Sequence, residues 1–504
     1  MNVLLIYPQY PDTFWSFKNV LKFISKKAAV PPLGLITVSA MLPDDWEKRL
    51  VDLNIEKLGD NDLEWADYVF ISAMYVQKAS VNYILERCKA YAVKVVAGGP
   101  LFTQEFQNYP QINHFVLNEG EITLPLFLDD IRKGNGVESV YQTTEFADLS
   151  RSPVPDYHLL KQEAYAFMSI QVSRGCPFAC DFCEITTLLG HKVRMKSNEQ
   201  VLNELETLYR LNWRGSVSVV DDNLIGNKKV MKHELLPAMI EWMQAHKYPF
   251  KFSAQTSINL ADDEGLLAQM RDAGFNSTFI GIETPVEKSL QCCNKVQNEN
   301  RNMLENVRQI QKAGLVVSGG FIVGFDSDTP SVFQRQIDFI QNSGIVSAMV
   351  GLLNAPKNTR LYQQLEKEKR LKVNCTGNNT DYTMNFIPKM EHTELLKGYH
   401  YIIQSIYKVK PYYQRIKKCL LNYHPVKHGK SRLDFTRIRA FLKSVIVLGV
   451  FDSGRSEYWK FIAWTLIRKP DLFVDAITMA VYGYHYRTVY GLRKAKDQPF
   501  VGMV

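Results

Sequence analysis

Arg174-Gly175-Cys176-Pro177-Phe178-Ala179-Cys180-Asp181-Phe182-Cys183 sets three cysteines in a CxxxCxxC spacing, directly after a strand-like run from Met168 to Val172. Three thiolates this close along one loop can reach one soft metal centre. A [4Fe–4S] cluster takes four Cys, so three leave one iron without a protein ligand, open to a substrate or cofactor. Structural zinc prefers paired half-sites and closed tetrahedral coordination. No fourth Cys lies nearby, and His191 is the nearest histidine for a Cys3His alternative. A disulfide would need an oxidising compartment. The cysteine arithmetic favours the open cluster over both. The other five of the eight cysteines, Cys88, Cys292, Cys293, Cys375 and Cys419, form no paired framework. For the Cys292-Cys293 pair an incidental or structural role is the expectation.

The loop opens a regular series. Ser197 with Gln200 makes a capping box for a helix to about Tyr209. Strands are expected at Ser216 to Val220, Phe250 to Ala254, Ser277 to Ile282, Val316 to Val323 and Ala348 to Leu353. Helices are expected at Lys229 to Gln244, Glu264 to Ala273, Asn300 to Ala313 and Ser331 to Asn342. Six strand–helix steps in order predict an open parallel (βα)6 barrel, with reactive groups at the C-terminal strand ends by analogy with the closed eight-fold barrel. The candidates there are Asp221, Asp222, Asn223, Gln255, Glu283 and Gly320-Phe321-Ile322-Val323-Gly324. Each carboxylate also has the plainer reading of a helix cap.

The cysteine motif, with the aromatic Phe182 before its third cysteine, resembles the signature of the radical S-adenosylmethionine (SAM) enzymes. The resemblance implies that Cys176, Cys180 and Cys183 hold a [4Fe–4S] cluster whose open iron chelates SAM. Gly320, Ile322 and Gly324 resemble the GxIxG pattern that contacts adenine by backbone. Glu283 and Gln255 then fall on the ribose or amino side. Asp221-Asp222-Asn223 stands where many members carry Gly-Gly-Glu.

The first 150 residues also alternate. Strands are expected at Val3 to Tyr7, Arg49 to Leu53, Tyr68 to Ala73, Val93 to Ala97 and His114 to Leu117, and helices at Gly34 to Met41 and Ser80 to Ala92. That order predicts a doubly wound, mostly parallel sheet, which binds ligands beyond the carboxyl ends of its strands. Tyr7-Pro8, the Pro31 to Leu35 segment with Gly34, the loop at Met74, Ala97-Gly98-Gly99-Pro100 and Asn118-Glu119-Gly120-Glu121 resemble the cobalamin-binding domain found ahead of many radical SAM domains. Pro8, Gly34, Met74, Gly98, Gly99, Glu119 and Gly120 are the implied cobalamin contacts. Many such domains carry DxHxxG after the first strand; here Pro8-Gln9-Tyr10-Pro11-Asp12-Thr13 has no His. Base-off cobalamin without a His ligand is one expectation, and a degenerate domain without cobalamin the other.

From about residue 356 the strands stop. Helices are expected at Thr393 to Lys408, Tyr412 to Leu421, Leu433 to Val447, Ser456 to Arg468 and Leu472 to Tyr490, with Asp381 to Lys389 as a pocket-lining loop. Tyr401 to Val450 holds eleven Lys or Arg against one acid, Asp434, within a net charge of +8. A basic, aromatic helical region fits contact with an anionic membrane surface or ordinary packing with a solvated basic face. No RNA-binding pattern supports nucleic acid. This part resembles a helical extension shared with the hopanoid C-2 methylases, which raises an apolar substrate.

The fold class expected is α/β: residues 1–145 a Rossmann-like cobalamin-binding domain, 146–165 a linker, 166–355 a partial TIM-like radical SAM barrel and 356–504 a helical extension. The N-terminus lacks the cationic start of a signal peptide, and no run of 18 apolar residues occurs. A cytoplasmic enzyme, with peripheral membrane contact as an option, is the expectation. The resemblance implies that the reduced cluster cleaves SAM to a 5′-deoxyadenosyl radical. That radical activates an inert carbon, which takes a methyl group from methylcobalamin. A flavodoxin- or ferredoxin-like donor is implied. Non-methylating radical chemistry and a non-catalytic cobalamin- or lipid-binding module are the competing readings.

Overall fold

The computed structural model describes residues 1–134, 136–372, 376–378, 380–426 and 435–493. Cys375, and Leu433 and Asp434 at the start of one expected helix, lie outside them. The chain forms two compact units. The first comprises Met1–Pro11, Lys27–Pro177 and Ile185–Asp221; the second comprises Asp12–Lys26, Phe178–Glu184 and the described residues from Asp222 onward.

The first unit holds β1 (Asn2–Tyr7), β2 (Glu47–Asp52), β3 (Tyr68–Ser72), β4 (Lys94–Gly98), β5 (His114–Val116) and β6 (Val140–Tyr141) in one sheet of order β2-β1-β3-β4-β5-β6. Every pairing in it is parallel. Alternate residues of one strand serve opposite faces. Leu4 and Ile6 enter a core with Ile84, Leu85 and Phe102, while Val3 and Leu5 enter another with Leu35, Phe127 and Leu128. Burial on both faces is why these strands read as unbroken apolar runs. The order reverses at β1, which has β2 on one side and β3 on the other. Doubly wound sheets bind ligands at such a switch point, outside the carboxyl ends of the strands.

Sequence reading missed the helix Gly120–Lys133, although Leu124, Phe127 and Leu128 give it an apolar face. Its glycine start and internal Pro125 hide it among turn signals. The unit continues with β7 (Phe167–Ile170), the antiparallel ribbon of β8 (Ser173–Arg174) and β9 (Arg194–Met195), and β10 (Ser216–Val219), parallel to β7. The helix Asn198–Arg210 starts on the expected capping box: the Gln200 N–H donates to Ser197 Oγ (3.2 Å), and the Ser197 N–H donates to Gln200 Oε1 (2.9 Å).

The second unit holds β11 (Lys251–Gln255), β12 (Phe275–Glu283), β13 (Val316–Val323) and β14 (Ala348–Leu352), neighbours in chain order and all parallel. The strands β7 and β10 to β14 lie within two residues of their expected ends. The helices His392–Tyr407, Val409–Asn422, Phe435–Ser444, Arg455–Arg468 and Phe473–Val489 follow. A π-helical stretch, Val445–Phe451, extends the third of them. Residues 12–26 also belong here. Phe14 stacks on Tyr486 at 4.3 Å, and His485 Nε2 lies 3.0 Å from the Phe14 carbonyl. Phe14 therefore packs on the last helix.

Candidate functional site

Gly175 to Glu184 forms one loop from β8 to the short helix Ile185–Leu189. Gly175 has φ +95°, and a Cβ there would lie 2.7 Å from the Lys192 carbonyl oxygen, so only glycine allows the turn into Cys176. The Cys176 N–H donates to the Gly190 carbonyl (3.2 Å), and the Cys183 N–H to the Cys180 carbonyl (3.1 Å). None of the three cysteines is in a disulfide, and all are partly exposed. Among the described residues no three His, Cys, Asp or Glu side chains gather to hold a metal ion. A cube takes each thiolate on a different iron, so its ligands need not converge on one centre. Three cysteines on one loop, none in a disulfide, fit that donor set.

Asp221, fully buried, accepts from the Val172 N–H (2.8 Å) and the Ser173 hydroxyl (2.5 Å). It braces the strand that leads into the cysteine loop. Two buried carboxylates hold the ribbon carrying Arg174 and Arg194 against the start of the helix Gly120–Lys133. Arg194 bonds Glu119 Oε1 at 2.6 Å and Oε2 at 2.7 Å. Arg174 bonds Glu121 Oε1 at 2.8 Å and Oε2 at 2.9 Å. The carboxylate of Glu119 is thus engaged inside the protein. Of the other residues singled out in the first unit, Pro8, Met74 and Gly99 follow β1, β3 and β4, while Gly98 ends β4. Glu119 and Gly120 open the helix after β5, and Gly34 lies exposed on the helix Leu33–Met41.

In the second unit the strands present two unlike faces. Phe252, Ala254, Ile280, Ile282, Val317 and Phe321 are buried, while Ser253, Gln255, Ser277, Phe279, Ser318 and Ile322 are partly open. Gly320 is buried, and a Cβ there would lie 2.8 Å from the Phe279 ring. Trp15 stands edge-on to Phe279 at 5.3 Å. The N–H groups of Gly324 and Phe325 donate to Asp328 Oδ2 at 2.9 and 3.1 Å, and Gln336 Nε2 donates to the Ile322 carbonyl at 2.7 Å.

Asp222 follows β10. Burial pushes its carboxyl up to about 6, and Glu184, next to Cys183, adds to the rise. Asn223 Oδ1 accepts from the Ser257 N–H at 3.2 Å, while its Nδ2 is buried without a partner. Such an orphaned donor is rare in a folded interior. Glu283 has φ +62° and pairs with Lys295 at 2.5 Å. Burial would drive the Lys295 ammonium down, but Glu283 and the sulfurs of Cys180 and Cys183 outweigh it and hold the group charged. The Phe182 ring lies 6.1 Å from that of Phe325, with Lys295 Nζ 5.8 Å from its centre. Lys295 and Gln297 belong to no recognisable spacing, so only the folded chain reveals them beside the cysteine loop. Cys293 is buried, and its carbonyl accepts from the Asp181 N–H (3.0 Å), a structural role.

Residues 170–340 match the radical SAM superfamily, and residues 359–498 match a domain of unknown function (DUF4070). The chain is 38% identical over 493 residues to an uncharacterised methyltransferase of Synechocystis sp., covering 96% of this chain and 91% of that protein. It is 31% identical over 501 residues to the hopanoid C-2 methylase of Rhodopseudomonas palustris, covering 97% and 93%. The chain belongs to the radical SAM methyltransferases. As a member it is an enzyme that uses a [4Fe–4S] cluster and SAM. The α/β fold is shared as well. A solved structure of the radical SAM methyltransferase TsrM from Kitasatospora setae, with cobalamin and a [4Fe–4S] cluster bound, aligns at TM-score 0.60 and 15% identity, covering 91% of this chain and 98% of that one. The helical extension after residue 356, legible in the sequence as a break in periodicity, coincides with the second matched region.

Proposed function

We propose that this radical SAM methyltransferase methylates an unactivated carbon of an apolar, lipid-like substrate. The observation that carries the reading is the loop of three cysteines, none in a disulfide, that opens a strand–helix series. The 31% identity to a hopanoid methylase along nearly the whole chain favours the apolar substrate. Cys176, Cys180 and Cys183 hold the cluster. Asp222, Asn223, Gln255, Glu283 and the strand segment of Gly320, Ile322 and Gly324 hold SAM, with Phe182 against them. Asp221 acts from behind, through the strand it braces. Pro8, Gly34, Met74, Gly98, Gly99 and Gly120 face cobalamin, and Glu119 contributes through its backbone because its carboxylate is already paired.

Bound there, these groups supply hydrogen abstraction and methyl transfer, chemistry that no side chain provides. The chain's own part is placement and exclusion of water. Asn223 Nδ2 offers a donor with no competing partner. Trp15 and Phe279 give the open face of the second unit an apolar wall. The electron comes from a flavodoxin- or ferredoxin-like donor. Residues 1–145, 166–355 and 356–504 correspond in this reading to cobalamin, SAM and substrate-access segments.

We further infer peripheral contact with an anionic membrane. No helix among the described residues is long and apolar enough to cross one. Ile438, Leu442, Ile446 and Val450 recur at four-residue spacing along residues 435–451, each 43–55% exposed, and Ile467 is 78% exposed. Arg439, Arg455 and Arg468 are exposed on the same helices. An apolar stripe flanked by cations suits a surface of anionic headgroups. Full-length protein is expected to sediment with phosphatidylcholine vesicles containing phosphatidylglycerol, less so in high salt, and Ile446→Asp with Ile467→Asp should release it. Equal sedimentation with and without the substitutions would sink the membrane contact.

The function itself is tested by comparing lipid extracts of cells with and without the protein. The expected result is a lipid that loses about 14 mass units, one methyl in place of hydrogen as a covalent change. With purified enzyme, S-adenosylhomocysteine and 5′-deoxyadenosine should form in equal amounts with the methylated lipid. Formation of 5′-deoxyadenosine with an unmethylated product would overturn methyl transfer.

A further inference from the structure

Residues 293–298 lie across the cysteine loop as a clamp. Asn298 Nδ2 donates to the carbonyls of Gly281 and Ile282, both at 3.0 Å, which fixes the segment to the end of β12. The Asp181 N–H donates to the Cys293 carbonyl at 3.0 Å, and from the other side the Leu361 N–H donates to the Asp181 carbonyl at 2.9 Å. Within this clamp Gln297, 7% exposed, places its Nε2 3.6 Å from Cys180 Sγ, while its Oε1 is buried without a partner. A buried amide normally satisfies both ends. Among the described residues the sulfur is the partner of the donor end, and the reversed amide would set a carbonyl oxygen against a thiolate. Lys295 acts on the same sulfur through its charge, but its ammonium is paired with Glu283 at 2.5 Å. The amide of Gln297 supplies the hydrogen bond to that sulfur.

We propose that Gln297 donates its side-chain amide to the Cys180 sulfur of the loaded enzyme and raises the reduction potential of the [4Fe–4S] cluster, which makes Gln297 a positioning residue. The inference rests on the cluster assignment above. A hydrogen bond to a ligand sulfur draws electron density from it and stabilises the reduced cluster, whose extra electron is the one delivered by the external donor. A hydrogen bond to a charged group is also stronger than one between neutral groups. Removing it lowers the potential without removing a ligand.

The test uses full-length, anaerobically reconstituted enzyme and a redox titration followed by electron paramagnetic resonance of the reduced cluster. Gln297→Leu removes the donor together with the orphaned acceptor, so it keeps the fold. The expected result is wild-type iron and sulfide content, with the ratio of reduced to oxidised cluster at a fixed potential lowered about tenfold, roughly 59 mV for one electron. Gln297→Glu, which sets a carboxylate near the sulfur, should lower it further. An unchanged potential in Gln297→Leu at equal iron content overturns the proposal, and so does loss of iron in that variant, which would make Gln297 merely structural. Failure of the wild type to take up iron would instead strike the cluster assignment itself.

Discussion

Replacing Cys180 by Ala abolishes the reaction. Iron and sulfide in the anaerobically reconstituted protein should fall to background, and 5′-deoxyadenosine should no longer form. Soft thiolate ligands are what select iron–sulfur centres, and a cluster that already lacks a fourth protein ligand would keep only two. Among the described residues no metal-holding group of three exists to take the iron elsewhere. The fold should survive the change. Cys180 is only partly buried, and the Gln297 amide that loses its partner costs about 1–3 kcal/mol, less than the 5–15 kcal/mol typical of a domain. Unchanged circular dichroism together with lost iron is the expected signature. Wild-type iron content and continued SAM cleavage would show that the cluster lies elsewhere.

Arg174→Met destabilises the protein by about 3–5 kcal/mol, the usual cost of leaving a buried charge without its partner. Arg174 is 14% exposed and Glu121 5% exposed, and their two bonds are bidentate at 2.8 and 2.9 Å. Without the guanidinium, Glu121 keeps the Ser152 hydroxyl at 2.9 Å and its own backbone N–H. The variant should therefore unfold at a lower urea midpoint with an unchanged slope. Burial alone would push the Glu121 carboxyl up, but the hydrogen bonds and charge of Arg174 bring it below its ordinary value. The contribution of the pair is thus complete above the unfolded carboxyl value of about 4.3 and is lost as pH falls through the lower folded value. The deficit of Arg174→Met should shrink accordingly in urea melts at acid pH. A deficit below about 1 kcal/mol at pH 7, the level of an exposed pair, would show that water reaches the two groups.

These two effects differ in how far they can be foreseen from the amino-acid order. The cysteines announce themselves because a cluster needs its ligands on one short loop, and their spacing survives as a local pattern. The Arg174 network does not: its partners Glu119 and Glu121 stand more than fifty positions away, and the sequence shows them only as part of the loop Asn118 to Glu121 that resembles a cobalamin-binding domain. Similarly, Asp221 and Asp222 are neighbours with the same chemistry in the sequence. Folding gives one to the Val172 amide and the Ser173 hydroxyl and leaves the other beside Glu184 with its carboxyl raised.

The six parallel strands, the three thiols and the change to helices near residue 356 were determined by the sequence itself, because each is a periodicity or spacing of local origin. Tertiary structure alone decided the rest. It brought residues 12–26 onto the last helix, where Phe14 meets Tyr486, and it set Lys295 and Gln297 beside the Cys180 sulfur. Those contacts join positions more than a hundred residues apart, and no local propensity or repeat encodes them. They exist because packing the apolar faces of many elements at once leaves one arrangement in which the buried polar groups find partners.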